Sequence, residues 1–106
     1  MDYRVEVSRS AEEESDRVYE WIARDSATRA GLWYRGLLDA IASLKRFPER
    51  CALAAERNVG GRDLRQLLYG KRNHKYRILF EIDGDTVIVT HIRHAARQSM
   101  YEEYEP

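Results

Sequence analysis

Between Lys75 and Ile92 apolar side chains recur at every second position: Tyr76, Ile78, Phe80 and Ile82, then Val87 and Val89 after the interruption Asp83-Gly84-Asp85. A period of two is the signature of a strand, and Asp and Gly tolerate the positive φ of a tight two-residue loop. The stretch therefore reads as a β-hairpin. Centring its turn on Asp83-Gly84 pairs Ile82 with Asp85, Phe80 with Val87, Ile78 with Val89 and Tyr76 with His91. Centring it on Gly84-Asp85 shifts the partners by two and leaves the faces unchanged. One face carries the six apolar residues, with His91 beside them by the same parity, and demands an apolar cover. The other carries Arg77, Leu79, Glu81, Ile88, Thr90 and Ile92. On that mixed surface Arg77 either lies along Leu79 and Ile88 with its guanidinium in water or marks an anion site on an open sheet face.

The cover comes from earlier in the chain. Tyr3-Arg-Val-Glu-Val7 alternates as a short half-buried strand. Ser10 followed by Glu13 has capping-box spacing, and Glu12, Glu13 and Glu14 suit the positive end of a helix dipole, so this acidic cluster needs no metal. A helix is expected from Ala11 to Arg24, with Ala11, Ser15, Val18, Tyr19 and Ile22 on one stripe. Asp25 to Thr28 breaks it. A second helix carries Ala30, Trp33, Tyr34, Leu37, Leu38, Ile41 and Leu44 up to Phe47-Pro48, where proline stops it. On this spacing Trp21, Trp33 and Tyr34 are core or interface aromatics. Two helices with apolar stripes and a sheet with one apolar face satisfy each other's burial, so the pair is expected to lie across the hairpin.

Pro48 to Arg62 shows no period and ends in Gly60-Gly61, and reads as a long loop anchored by Cys51, Leu53 and Ala54. Asp63 to Tyr69 is a further strand, with Leu64, Gln66 and Leu68 on one side and Arg65, Leu67 and Tyr69 on the other. Gly70 to His74 forms a basic turn. The expected fold is a single α+β domain over residues 1–106, β-α-α-β-β-β, with a largely antiparallel sheet and a helical hairpin on one face.

Lys and Arg equal Asp and Glu at 18 each, so total charge names no partner. Its distribution is uneven: Arg57 to Arg97 holds nine basic against four acidic residues, a net of +5, whereas Gln98 to Pro106 holds three Glu and no base. A basic half followed by an acidic end suggests an anionic partner on one side. The tail QSMYEEYEP reads as a short helical turn or a frayed end. Cys51 is the only cysteine, which excludes an intrachain disulfide or a cysteine-based metal cage and suggests a reducing compartment. No apolar run approaches the roughly 20 residues of a membrane helix, and no signal peptide is visible, so a cytoplasmic location without membrane contact is expected.

The order of elements, together with FPERC (Phe47 to Cys51), LRQLLYG (Leu64 to Gly70), YRILFEIDGDTVIVTHIRH (Tyr76 to His94) and AAR (Ala95 to Arg97), resembles the RelE/ParE superfamily of bacterial toxins over nearly the whole chain. That resemblance implies the toxin of a type II toxin-antitoxin pair, a growth inhibitor bound in a hetero-oligomer by a cognate antitoxin, with no cofactor and no metal. Two targets occur in the superfamily. RelE-like members cut mRNA on the ribosome, using the RNA 2′-hydroxyl as nucleophile, so the protein must supply a base, an acid and cations for the phosphate. ParE-like members poison DNA gyrase and have no known catalytic constellation.

The resemblance places Arg77 at the arginine of the YR pair in the nucleases, Arg97 at another arginine after the last strand, and Tyr101 or Tyr104 near a C-terminal tyrosine. His94 is the candidate acid or base, since histidine titrates near neutrality, while His91 is expected to be structural. The two lysine positions of RelE correspond to Leu68 and Gly70, for which Lys71, Arg72, His74 and Lys75 compensate only if the turn folds back. With the lysines lost and the total charge balanced, the pattern is closer to ParE-like members. The residues expected to contact a target or nucleic acid are then Arg65, Lys71, Arg72, Lys75, Arg93 and Tyr101. A member that only binds its antitoxin is the remaining alternative.

Overall fold

The computed structural model describes residues 2–57, 61–71 and 74–95. Strand β1 (Arg4–Val7) leads into helices α1 (Arg9–Ala23) and α2 (Ala27–Ala42), followed by 3₁₀ turns at Ser43–Lys45 and Pro48–Arg50. Four strands complete the chain: β2 (Ala52–Arg57), β3 (Asp63–Tyr69), β4 (Tyr76–Asp83) and β5 (Thr86–His94). They form one sheet in the order β1-β5-β4-β3-β2, antiparallel except where β1 runs parallel to β5. The α+β class and the helical hairpin over one sheet face are as the periodicity predicts.

Strand β2 is an addition. It occupies six residues of the stretch expected to be a loop, and Ala52-Leu-Ala-Ala-Glu-Arg57 has neither alternation nor β-branched residues to announce it. A register irregularity between Leu53 and Arg57 breaks its pairing with β3.

The first helix starts earlier than the capping box suggests. Its N-cap is Ser8, whose hydroxyl accepts the Ala11 N–H at 3.1 Å and donates to the Thr90 carbonyl at 3.2 Å. Ser10 lies inside the helix. One residue thus caps α1 and pins it to β5. Helix α2 is capped in the same way by Ser26, whose side chain accepts the Arg29 N–H. It ends before Phe47-Pro48: the chain passes through a 3₁₀ turn, and Phe47 takes a left-handed φ of 47°.

Between the helices and the sheet, Ala11, Leu37, Ile41 and Leu44 pack on Ile78, Phe80, Val87, Val89 and Ile92. Tyr69 fixes how closely α2 approaches. Its hydroxyl donates to the Trp33 carbonyl at 2.8 Å, and a Cβ on Gly36 would lie 2.1 Å from that oxygen. Only glycine fits there.

The hairpin turn follows the Gly84-Asp85 alternative, with Asp83 opposite Thr86 and Gly84 at φ 63°. Beyond it, parity fails once. Phe80 faces Val89 but Leu79 faces His91, so Thr90 is an extra residue on β5. This bulge exchanges the faces of everything after it. Ile92 moves to the helix side opposite Ile78, and His94 follows it opposite Tyr76. His91, expected on the helix side, lies across from Leu79 on the other face.

Candidate functional site

Arg77 sits at the centre of the helix-free face, and the anion site expected there is occupied by the protein itself. Its two terminal nitrogens donate to the Glu56 carboxylate at 2.8 and 2.6 Å, and its Nε donates to the Gln66 side chain at 2.9 Å. Arg77 is 7 % and Glu56 6 % exposed. The guanidinium neither lies in water nor faces an open surface. A fork-to-fork pair of this kind is strong because both groups are ionised and two hydrogen bonds join them at once. Farther along β4, Glu81 is buried beside Arg62, 3.4 Å away, and Arg62 also meets Asp83 at 3.1 Å.

A second polar knot lies where β1 has ended and the edge of β5 continues. Glu14 of α1 is buried and accepts the Ile92 backbone N–H at 2.9 Å. Its carboxylate also lies 3.3 Å from His91 Nδ1 and 3.1 Å from the Arg93 guanidinium. A helix side chain thereby satisfies a strand-edge donor that would otherwise be buried without a partner. Glu14 is thus more than an acid suiting the helix dipole.

The remaining candidates separate into three groups. Arg65 is half-buried and straps the segment before β2 to β3, donating to the carbonyls of Glu49 at 3.2 Å and Cys51 at 2.7 Å. Lys71, His74 and Lys75 are exposed at the β3–β4 connection, where Lys71 O accepts the His74 N–H and Gly70 adopts φ 113°. Arg72, Arg97 and Tyr101 lie outside the described residues. His94 packs edge-on against Tyr76, ring centroids 5.1 Å apart, and Tyr76 packs against Trp33 at 5.3 Å. Burial pushes the Tyr76 phenol above its ordinary pKa, and burial with Asp39 nearby does the same to Tyr69. Both phenols are therefore neutral at physiological pH.

Sequence reasoning missed Glu56, which neutralises Arg77, and Gln66, whose side-chain oxygen accepts from the Arg77 Nε. It also missed a cavity of about 620 Å³ at the closed end of the helical hairpin. Trp21, Ile22, Leu32, Trp33 and Tyr76 give it apolar walls, and Arg24, Asp25, Arg29 and His74 stand around it. The signal was the pair Trp21 and Leu32, large apolar residues off the core stripe, 46 % and 60 % exposed.

The chain matches the family described as "ParE toxin of type II toxin-antitoxin system, parDE" over residues 5–99. It belongs to the ParE toxin family. The family assigns it the role of toxin in a type II toxin-antitoxin system. No curated protein matches it in sequence. Among solved structures, a chain from "Chromosomal ParDE TA system from P. aeruginosa" is similar in fold, with a TM-score of 0.67 at 14 % identity, covering 85 % of this chain and 92 % of that one. No helix among the described residues is long and apolar enough to cross a membrane.

Proposed function

We propose that this toxin acts by binding DNA gyrase, is neutralised by a cognate antitoxin lying over its helical hairpin, and does not cut RNA. The observation that carries this reading is the Arg77–Glu56 pair. A ribonuclease of the RelE type needs a cation at that position for the phosphate, and here the guanidinium already holds a carboxylate in a bidentate grip. Exchanging Glu56 for a phosphate would leave a buried carboxylate without its partner, at a cost of about 3–5 kcal/mol. His94, the proposed proton donor or acceptor, lies against Tyr76 on the helix side, whereas Arg77 lies on the opposite face. The two do not converge on one substrate.

The exposed cations at the β3–β4 connection, Lys71 and Lys75, are the target contacts in this reading, with Arg72, Arg97 and Tyr101 as further candidates from the sequence. Arg65 and Arg93 serve the fold first, Arg65 through its hydrogen bonds to the Glu49 and Cys51 carbonyls and Arg93 through its ion pair with Glu14.

Pulse labelling of nascent DNA and nascent protein shortly after induction separates the two targets. An early stop in DNA labelling with translation continuing is the expected result, weakened in Lys71→Ala/Lys75→Ala and in Arg97→Ala. An early stop in protein labelling that Arg97→Ala abolishes would replace gyrase with mRNA.

A further inference from the structure

The cavity beneath Trp21 and Leu32 opens beside the point where β5 ends. Tyr76 forms one wall, the His94 ring meets Tyr76 edge-on, and Ala95, the next residue, is tied in place by its N–H to the Lys75 carbonyl at 2.7 Å. The chain that follows carries Met100, Tyr101 and Tyr104 interleaved with Glu102, Glu103 and Glu105, and no basic residue from Gln98 onward. Those two sets of features are complementary. The cavity presents indole and aliphatic walls to large apolar side chains. Around it stand Arg24, Arg29 and His74 against the single acid Asp25, which is paired with Arg29.

Reach is sufficient. Tyr101 is six residues beyond Ala95, about 20 Å of extended chain at roughly 3.3 Å per residue. Tethering makes the binding intramolecular, so even weak contacts act at a high effective concentration.

We propose that residues 98–106 of this same chain dock in the cavity, with Tyr101 or Tyr104 against Trp21, Leu32 and Trp33, and the glutamates on the Arg24 and Arg29 side. The tail then shields apolar surface that is otherwise exposed at the end of the helical hairpin. Any protein partner that binds this end of the hairpin must first displace it.

Both tryptophans of the chain line the cavity, so their indole N–H resonances report on it directly. In the full chain carrying Pro106→Cys, a nitroxide is attached at the new thiol. Buried Cys51, whose thiol burial pushes above the ordinary pKa, does not compete for the label. The expected result is loss of intensity for both indole signals in low salt. Recovery is expected with Leu32→Glu, which changes an exposed wall residue, and with Glu102→Lys/Glu103→Lys. High salt, which screens the glutamates from the arginines, recovers part of the signal. Three outcomes overturn the proposal. One is full indole intensity in the labelled parent. Another is broadening that survives both variants, which reports only the nearness of the tether. The third is broadening seen only when labelled chains are mixed with isotope-enriched ones, which would place the tail of a second copy in the cavity.

Discussion

The two faces of β4 are closed to solvent to a similar degree but are held by different means. On the helix side Ile78 and Phe80 are sealed by aliphatic side chains from α1, α2 and β5. On the other side Arg77 and Glu81 are buried as charges whose partners come from β2, β3 and the start of β3's approach, namely Glu56, Gln66 and Arg62. An apolar contact is non-directional and roughly proportional to area, so its loss is graded. A buried ion pair works only as a pair, because each charge left alone retains its full desolvation penalty.

That difference makes the largest prediction. Glu56→Ala should destabilise the fold by about 3–5 kcal/mol by stranding the Arg77 guanidinium, and the double change Glu56→Leu/Arg77→Met should restore most of it. Phe80→Ala should cost a similar amount, about 3–5 kcal/mol, but no second truncation nearby can recover it, since cavities add. Urea unfolding followed by circular dichroism checks both. If the double variant is no more stable than Glu56→Ala alone, the helix-free face is held by shape rather than by charge pairing.

The same contrast explains what could be read from sequence. The helix-covered face was legible residue by residue, because Tyr76, Ile78, Phe80, Val87 and Val89 alternate and burial on one side leaves few alternatives. The opposite face was not. Arg77 shows the need for a partner, yet nothing local names Glu56, which lies 21 positions earlier in a segment without period. Hydrogen-bond partners distant in sequence are chosen by topology, and β2 has no alternation that would reveal it as a strand. The bulge at Thr90 was hidden for a related reason: one extra residue leaves composition unchanged while reversing the side on which His91, Ile92 and His94 fall. The cavity, too, is made by α1, α2, β4 and the β3–β4 connection together, so its only trace in the sequence is Trp21 and Leu32, two apolar residues off the core stripe.

A smaller effect tests the close approach on the helix side. Gly36→Ala forces a methyl group into the Tyr69 hydroxyl and should cost about 1–3 kcal/mol by overpacking. Tyr69→Phe alone should cost about 1 kcal/mol, the worth of its hydrogen bond to the Trp33 carbonyl. Combined, the two changes should be cheaper than their sum, because the oxygen that clashes is gone. Simple additivity in denaturation midpoints would mean that α2 shifts away from β3 rather than colliding with it.

Smaller again is the join between α1 and β5. Ser8→Ala should cost about 0.5–2 kcal/mol through the lost N-cap. Ser10→Ala, already inside the helix, should fall within about 0.5 kcal/mol of the parent. Equal effects would return the helix start to the capping box suggested by Ser10 and Glu13.

The smallest effect lies outside both faces, between the Tyr3 hydroxyl and the Glu49 carboxylate that accepts its hydrogen bond. This bond pulls the Glu49 pKa down and pushes the Tyr3 pKa up. For Glu49 the folded value lies below the unfolded one, about 4.3 for an ordinary glutamate, so its contribution is present above that pH and is lost as pH falls through the folded value. For Tyr3 the folded value lies above the ordinary phenol, about 10, so its contribution is present below that pH and is lost as pH rises through the folded value. The pair's contribution should therefore be flat between the two ranges and fall away gently at each end. Tyr3→Phe should lower the plateau slightly and flatten the alkaline slope, leaving a shallower acid slope from the backbone hydrogen bond that also lowers Glu49. The pair is open to water, where side-chain ordering and screening offset most of the gain, which ranks it below the Ser8 cap. Thermal midpoints that run parallel for parent and variant from acid to alkali would show that the hydrogen bond does not persist in solution.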